Sequence, residues 1–262
     1  MSKEIFISIA NQKGGVGKST LTTIIANLLH FEHGYTVAVV DCDSPQASTA
    51  DLRDFEIKVI RNSPYFNELA AKHFKKYGKN AFQIIRSTAA EALDDAEDLL
   101  RNSDPRPDIV LFDLPGSLNT NGVITTLSQM DYIFTPMCAD RLVVESTLQF
   151  VSLFNDNLIT TGISKTKGLY LFWTGVDGRE RTELYDVYED IAEELNVPIL
   201  KTRLADTKQY RKNIAETRKV VFRSTIFPMA SSRVLGVWSF NRFPRRSSKP
   251  ASPISLYFFT HW

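Results

Sequence analysis

A chain of 262 residues, 43% hydrophobic and 23% charged, is long enough to bury a large core and too ordinary in composition for a disordered or collagenous protein. The net charge of +1 hides an asymmetry: no Asp or Glu follows Glu216, whereas eight Lys or Arg do. The two cysteines, Cys42 and Cys138, have no CxxC spacing, and no leader-like start or run of eighteen apolar residues occurs. A disulfide framework and a cysteine metal site are thereby excluded, and the expected compartment is the cytoplasm.

In chain order, the apolar run Ile5-Phe6-Ile7-Ser8-Ile9-Ala10 reads as a buried strand. Asn11-Gln12-Lys13 leads into Gly14-Gly15-Val16-Gly17-Lys18-Ser19-Thr20, and a helical pattern opens at Leu21, Ile24, Ile25, Leu28 and Leu29. Strand, glycine loop and helix start form the context of a phosphate-binding loop. The glycines let successive N–H groups turn onto phosphate oxygens, and the helix adds its positive end. Lys18 can then reach the β- and γ-phosphates while the Ser19 hydroxyl ligates Mg²⁺. Lys13 is a second lysine that an ordinary P-loop does not require; the plain alternative is a solvated loop lysine.

After a helix stop at His33-Gly34, the short strand Thr36-Val37-Ala38-Val39-Val40-Asp41 runs into Cys42-Asp43-Ser44-Pro45-Gln46. Carboxylates at the carboxyl end of a parallel strand face the ligand crevice; the local alternative is an Asx-type turn capping the next helix. Residues 54–60 read as a strand or extended arm, Pro64 to Tyr77 as a helix ended by Gly78, 81–86 as a strand, and 88–100 as an acidic amphipathic helix. His73 reads as a core or edge histidine, and Lys72, Lys75, Lys76 and Lys79 as the wet side of their helix. No task follows for residues 51–107.

Pro105-Arg106-Pro107 breaks the chain before Asp108-Ile109-Val110-Leu111-Phe112-Asp113-Leu114-Pro115-Gly116. Four apolar residues running into Asp113 have the Walker B form. Asp113 would bind a water of the Mg²⁺ shell, and Gly116 would open a loop that senses the γ-phosphate. Further strands are expected at 132–136, 168–174 and 197–202, with helices at 122–129, 142–158 and 181–195 and a short turn near Tyr210. This alternation predicts an α/β P-loop NTPase: a doubly wound, mostly parallel sheet flanked by helices.

With Lys13 ahead of Gly14-Gly15-Val16-Gly17-Lys18-Ser19, residues 3–228 resemble the deviant-Walker ATPases of the ParA/MinD family, in the branch without an N-terminal helix-turn-helix. The resemblance implies ATP and Mg²⁺ held by Lys13, Gly14, Gly15, Val16, Gly17, Lys18, Ser19, Thr20, Asp113 and Gly116. Ser19, Asp41 and Asp113 would serve the metal, with Asp41 acting through water. Lys13, Lys18 and Asp43 would be the catalytic set: Lys13 crosses to the ATP of a second copy in a sandwich homodimer, and Asp43 orients the attacking water. Phe172-Trp173-Thr174-Gly175-Val176-Asp177-Gly178-Arg179 is similar to the family's strand-and-loop before a basic helix. Arg203, Lys208, Arg211 and Lys212 fall where relatives place nucleotide and DNA contacts, and Arg218 and Lys219 extend that basic run. By itself such a run is also an ordinary solvated face.

The implied function is a slow, partner-stimulated ATPase that binds DNA non-specifically in partition or maintenance of a plasmid, chromosome or mobile element. A ParB-like activating protein and association with the nucleoid are part of that expectation. An Asn-Lys-x-Asp base-reading motif is absent, which favours ATP over GTP. The alternative is a MinD-like membrane-cycling ATPase, which needs a terminal amphipathic helix. An electron-transfer ATPase would need cluster cysteines that Cys42 and Cys138 do not supply. The expected division is an ATPase domain over 1–228 and an atypical basic-aromatic tail over 229–262. That tail has neither helical nor strand period; it is expected to be a frame-shifted or otherwise non-native ending, or disordered, with an interaction tail as the alternative.

Overall fold

The computed structural model describes residues 3–43, 48–177, 183–212, 214–217 and 221–229. Six strands form one sheet: β1 (Ile5–Ile9), β2 (Val37–Asp41), β3 (Gln83–Arg86), β4 (Ile109–Asp113), β5 (Tyr132–Met137) and β6 (Gly168–Trp173), in the order β3-β2-β4-β1-β5-β6. Every pairing is parallel. Strands β2, β4 and β5 are buried along their whole length, which is why they read as continuous apolar runs and not as alternating ones.

Helices α1 (Lys18–Asn27), α2 (Ser48–Arg61), α3 (Pro64–Tyr77), α4 (Ala92–Asn102), α5 (Val123–Ser128), α6 (Arg141–Phe154), α7 (Leu184–Glu194) and the short α8 (Ile214–Thr217) fall between and after the strands. Along β4 the side chains alternate between two cores. Val110 and Phe112 join Val40, Ile133, Leu171 and Trp173 under Ala96 and Leu100 of α4 and Val144, Leu148 and Val151 of α6. Ile109 and Leu111 join Ile7, Ile9, Val37 and Val39 under Leu21, Ile24 and Leu28. Both faces are thus covered, as a parallel sheet requires. The helix stop at His33-Gly34 is present: α1 runs into a π-helical turn, Leu28–Glu32, and Gly34 takes φ +80°.

Two expected strands differ. Residues 54–60 lie inside α2, since their β-branched side chains sit on a helix whose inner face is largely polar. Thr49 and Glu56 are buried there, and Glu56 accepts from the Thr225 amide at 2.8 Å. Residues 197–202 make only an isolated bridge, Leu171 to Ile199. Pro198 has no N–H to extend a ladder, although its carbonyl accepts from Leu171 at 2.9 Å.

His73 is half-buried with its ring edge-on to Phe227. Lys72, Lys75 and Lys76 are exposed, whereas Lys79 donates to the carbonyls of His30, Gly34 and Tyr35 and so clasps the turn after α1. Residues 221–229 pack back onto α1, α2 and α3. Phe227 is fully buried beside Phe66 and Ala70, and Met229 is buried against the α1 face of the sheet. The remainder of the expected tail, 230–262, lies outside the described residues.

Candidate nucleotide and metal site

The strand order brings together what the chain keeps apart. The glycine loop leaves β1, and β4 and β2 are the next strands in the sheet, so all three carboxyl ends adjoin at the edge where open α/β sheets bind ligands. Asp41 and Asp113 are register partners across the β2–β4 pair. The loop itself turns on Gly15 at φ +78° and Gly17 at φ +89°, left-handed conformations that a side chain would strain. Gly17 caps α1, and its carbonyl accepts the first helical bond, from Leu21 at 2.8 Å. The preceding amides of the first turn therefore have no helical acceptor and are available to an anion.

Lys18 is buried, with Nζ at 3.4 Å from the Lys13 carbonyl. Burial lowers its pKa, while Asp113 and Asp43 oppose that shift. A Cβ at Gly116 would come within 3.0 Å of Lys18 Nζ, so the loop after β4 lies against the lysine head. Lys13, Gly14 and Gly15 are exposed, and Val16, Gly17, Ser19 and Thr20 are half-buried. Asn11 fixes the front of the loop: its Oδ1 accepts from the Lys13 amide at 2.8 Å, and its Nδ2 donates to the Pro136 carbonyl and to Thr147.

The acidic side is held by α2. Asp41 Oδ2 accepts from the amides of Thr49 at 2.9 Å and Ala50 at 2.8 Å. The two readings of Asp41 coexist, since one oxygen reaches across to the amides of α2 while the other makes the local Asx-type contact. Its other oxygen lies 3.4 Å from the Asp43 amide. Asp113 Oδ2 accepts from the Thr49 hydroxyl at 2.9 Å, and the nearby Ser19 and Thr49 hydroxyls both favour its charged form. Burial, then the neighbouring Asp41, pushes the Asp113 pKa up to about 7, and burial likewise raises that of Asp41.

Asp113 Oδ1 is buried with no partner among the described residues. An orphaned carboxylate oxygen in a set of two acids and a serine hydroxyl fits a hard divalent cation with oxygen ligands, such as Mg²⁺. Ser19, Asp41 and Asp113 would hold that ion directly or through water. Asp43 is half-buried at the end of β2.

Among the described residues, the basic candidates differ in how free they are. Arg203 is committed within the fold: it pairs with Glu189 at 2.9 Å and lies over the Tyr185 ring at 4.7 Å. Lys208 and Lys212 are exposed at either end of a 3₁₀ turn, Lys208–Arg211. The side chain of Arg211 and the residues Arg218 and Lys219 lie outside the described set. Thr49, which ties α2 to both acids, escaped the sequence reading because nothing in Ser48-Thr49 signals a bond to residues on two strands. Arg223 was likewise unassigned.

The family model described as the CobQ/CobB/MinD/ParA nucleotide binding domain matches residues 7–220. No curated protein matches the chain. Among solved structures, a Borrelia burgdorferi protein described as a plasmid partition protein, bound to AMPPNP, superposes with a TM-score of 0.54 at 21% identity. The match covers 80% of this chain and 90% of that one. A chain of the MinC:MinD cell division protein complex of Aquifex aeolicus gives 0.54 at 16% identity, covering 83% and 90%. Apo McdA of Cyanothece gives 0.54 at 16%, covering 84% and 92%. These likenesses establish a shared fold.

Proposed function

Because the chain belongs to the CobQ/CobB/MinD/ParA nucleotide-binding domain family, we propose that it is an ATPase whose two copies close over ATP and Mg²⁺. The closed dimer binds DNA without sequence preference and serves partition or maintenance of a plasmid, chromosome or mobile element. The observation that carries this reading is the convergence of Lys18, Ser19, Asp41 and Asp113 on adjoining strand ends, with Lys13 exposed on the rim. Bound Mg²⁺ would offset negative charge on the β- and γ-phosphates.

The chain's own groups do the rest. The Gly14–Ser19 amides and Lys18 cradle the phosphates, while α2 fixes Asp41 by its first amides and Asp113 through Thr49. Asp43 orients the attacking water. Lys13 reaches the triphosphate of the second copy, so the γ-phosphate supplies the differential contact that favours the closed dimer. Gly116, against Lys18 Nζ, lets the loop after β4 respond when that phosphate leaves. Of the described basic residues assigned to DNA contact, Lys208 and Lys212 have exposed side chains, and their contribution to binding DNA phosphates is salt-sensitive. A ParB-like partner accelerates turnover.

The test is a paired measurement of phosphate release and DNA co-sedimentation. Lys18→Ala is expected to lose nucleotide binding and both readouts. Asp43→Ala is expected to stay ATP-bound and DNA-bound without releasing phosphate. Normal turnover by Asp43→Ala removes that residue from the mechanism, and DNA retention indifferent to ATP overturns the cycle.

A further inference from the structure

We infer that Arg223 is a nucleotide-binding residue, its guanidinium taking the α-phosphate of a nucleoside di- or triphosphate seated on the glycine loop. This rests on the nucleotide reading above. Arg223 lies 203 positions from the loop in sequence, yet its Nη1 donates to Thr20 Oγ1 at 3.2 Å. Thr20 follows Ser19 in the first turn of α1, ahead of the first helical bond at Leu21, so its amide belongs to the anion-facing set. Lys18 and Ser19 serve the β- and γ-phosphates and the metal. Thr20, one step further along the turn, borders the other end of the polyphosphate.

The chemistry at Arg223 calls for an anion. A guanidinium carries five donors, and the acceptor found for this one among the described residues is a single neutral hydroxyl. Its Nε is buried with no partner among those residues. It stands beside the positive end of α1 on a half-buried surface; the buried Glu56 offsets part of its charge, and a phosphate oxygen would take the donors that Thr20 leaves open.

The position is also held rigidly by others. Asn27 donates to the carbonyls of Ser224 and Phe227, and Thr225 is bound by Arg53 and Glu56. Arg223 is therefore not needed to tether its own segment. Its side chain is presented to Thr20 by backbone anchored immediately after it.

Titration of the full-length protein with fluorescent ADP and with a non-hydrolysable ATP analogue tests the assignment, together with the melting temperature of nucleotide-free protein. R223Q is expected to melt as wild type and to lose roughly 10- to 100-fold in affinity for both nucleotides alike. R223K, which keeps the charge and loses the fork, is expected to recover part of that loss. Unchanged affinity in R223Q overturns the proposal, as does a loss confined to the ATP analogue, which would put the arginine at the γ end. A fall in melting temperature that tracks the affinity loss in both variants would make Arg223 a structural tether and overturn it too. Failure of the wild-type protein to bind either nucleotide sinks the functional reading itself, a distinct result.

Discussion

Asn27→Ala probes how firmly residues 221–229 are held against the nucleotide-binding helix. The Asn27 carboxamide is fully buried on α1. Its Nδ2 donates to the Ser224 carbonyl at 2.8 Å and the Phe227 carbonyl at 2.7 Å, and its Oδ1 accepts from the Met229 amide at 3.1 Å. Alanine suits the helix but leaves these backbone groups without their partner. Each of the three buried groups left unsatisfied costs about 1–3 kcal/mol, so the variant loses about 3–9 kcal/mol of a stability that is typically 5–15 kcal/mol. The segment can lower that cost only by peeling away, which uncovers Ile226, Phe227 and Met229. Urea unfolding followed by circular dichroism measures the loss, and limited trypsin digestion reports cleavage after Arg223. A loss under about 1 kcal/mol with an unchanged digestion pattern would refute the reasoning.

Two further perturbations test other parts of the fold. Burial lowers the His30 pKa to about 4, with Lys79 and Arg53 adding to the shift against the Asn80 and Tyr35 carbonyls. Between about pH 6.5 and 4 the unfolded chain binds a proton that the folded chain refuses, so stability is full above that window and falls by about 3 kcal/mol across it. Urea midpoints measured from pH 7 to 5 are expected to fall more steeply for wild type than for His30→Gln; parallel slopes contradict this. Gly122→Ala would set a Cβ 2.4 Å from the Ala90 Cα at φ +86°. The combined clash and left-handed strain is expected to cost about 3–5 kcal/mol in chemical denaturation, and a near-neutral variant would show that the approach of these two loops is not tight.

The middle of the sheet was legible because β2, β4 and β5 are buried along their length and read as plain apolar runs. The glycine loop was legible because its backbone geometry demands glycine at fixed spacing. Asp41 and Asp113 could be recognised as strand-terminal acids, but their adjacency depends on β4 entering between β1 and β2, which no local pattern encodes. Helix α2 was misread for a physical reason. Its most buried contacts include the polar Thr49 and Glu56, with Arg53 beside them, which a hydrophobic period does not register, while the apolar Ile57, Val59 and Ile60, packed against the Phe66–Phe227 cluster, suggest a strand by sequence. Arg203 looked like a free cation in sequence because its partner Glu189 arrives from α7, fourteen residues away.

The most direct measurement of the central claim is the molar mass of the purified protein by size-exclusion chromatography with light scattering, in ADP and in a non-hydrolysable ATP analogue. The account predicts a monomer in ADP and a doubled mass in the ATP analogue. It also predicts that Lys13→Ala remains monomeric while still binding nucleotide. A Lys13→Ala protein that dimerises with the ATP analogue, or a wild-type mass indifferent to the γ-phosphate, would contradict it.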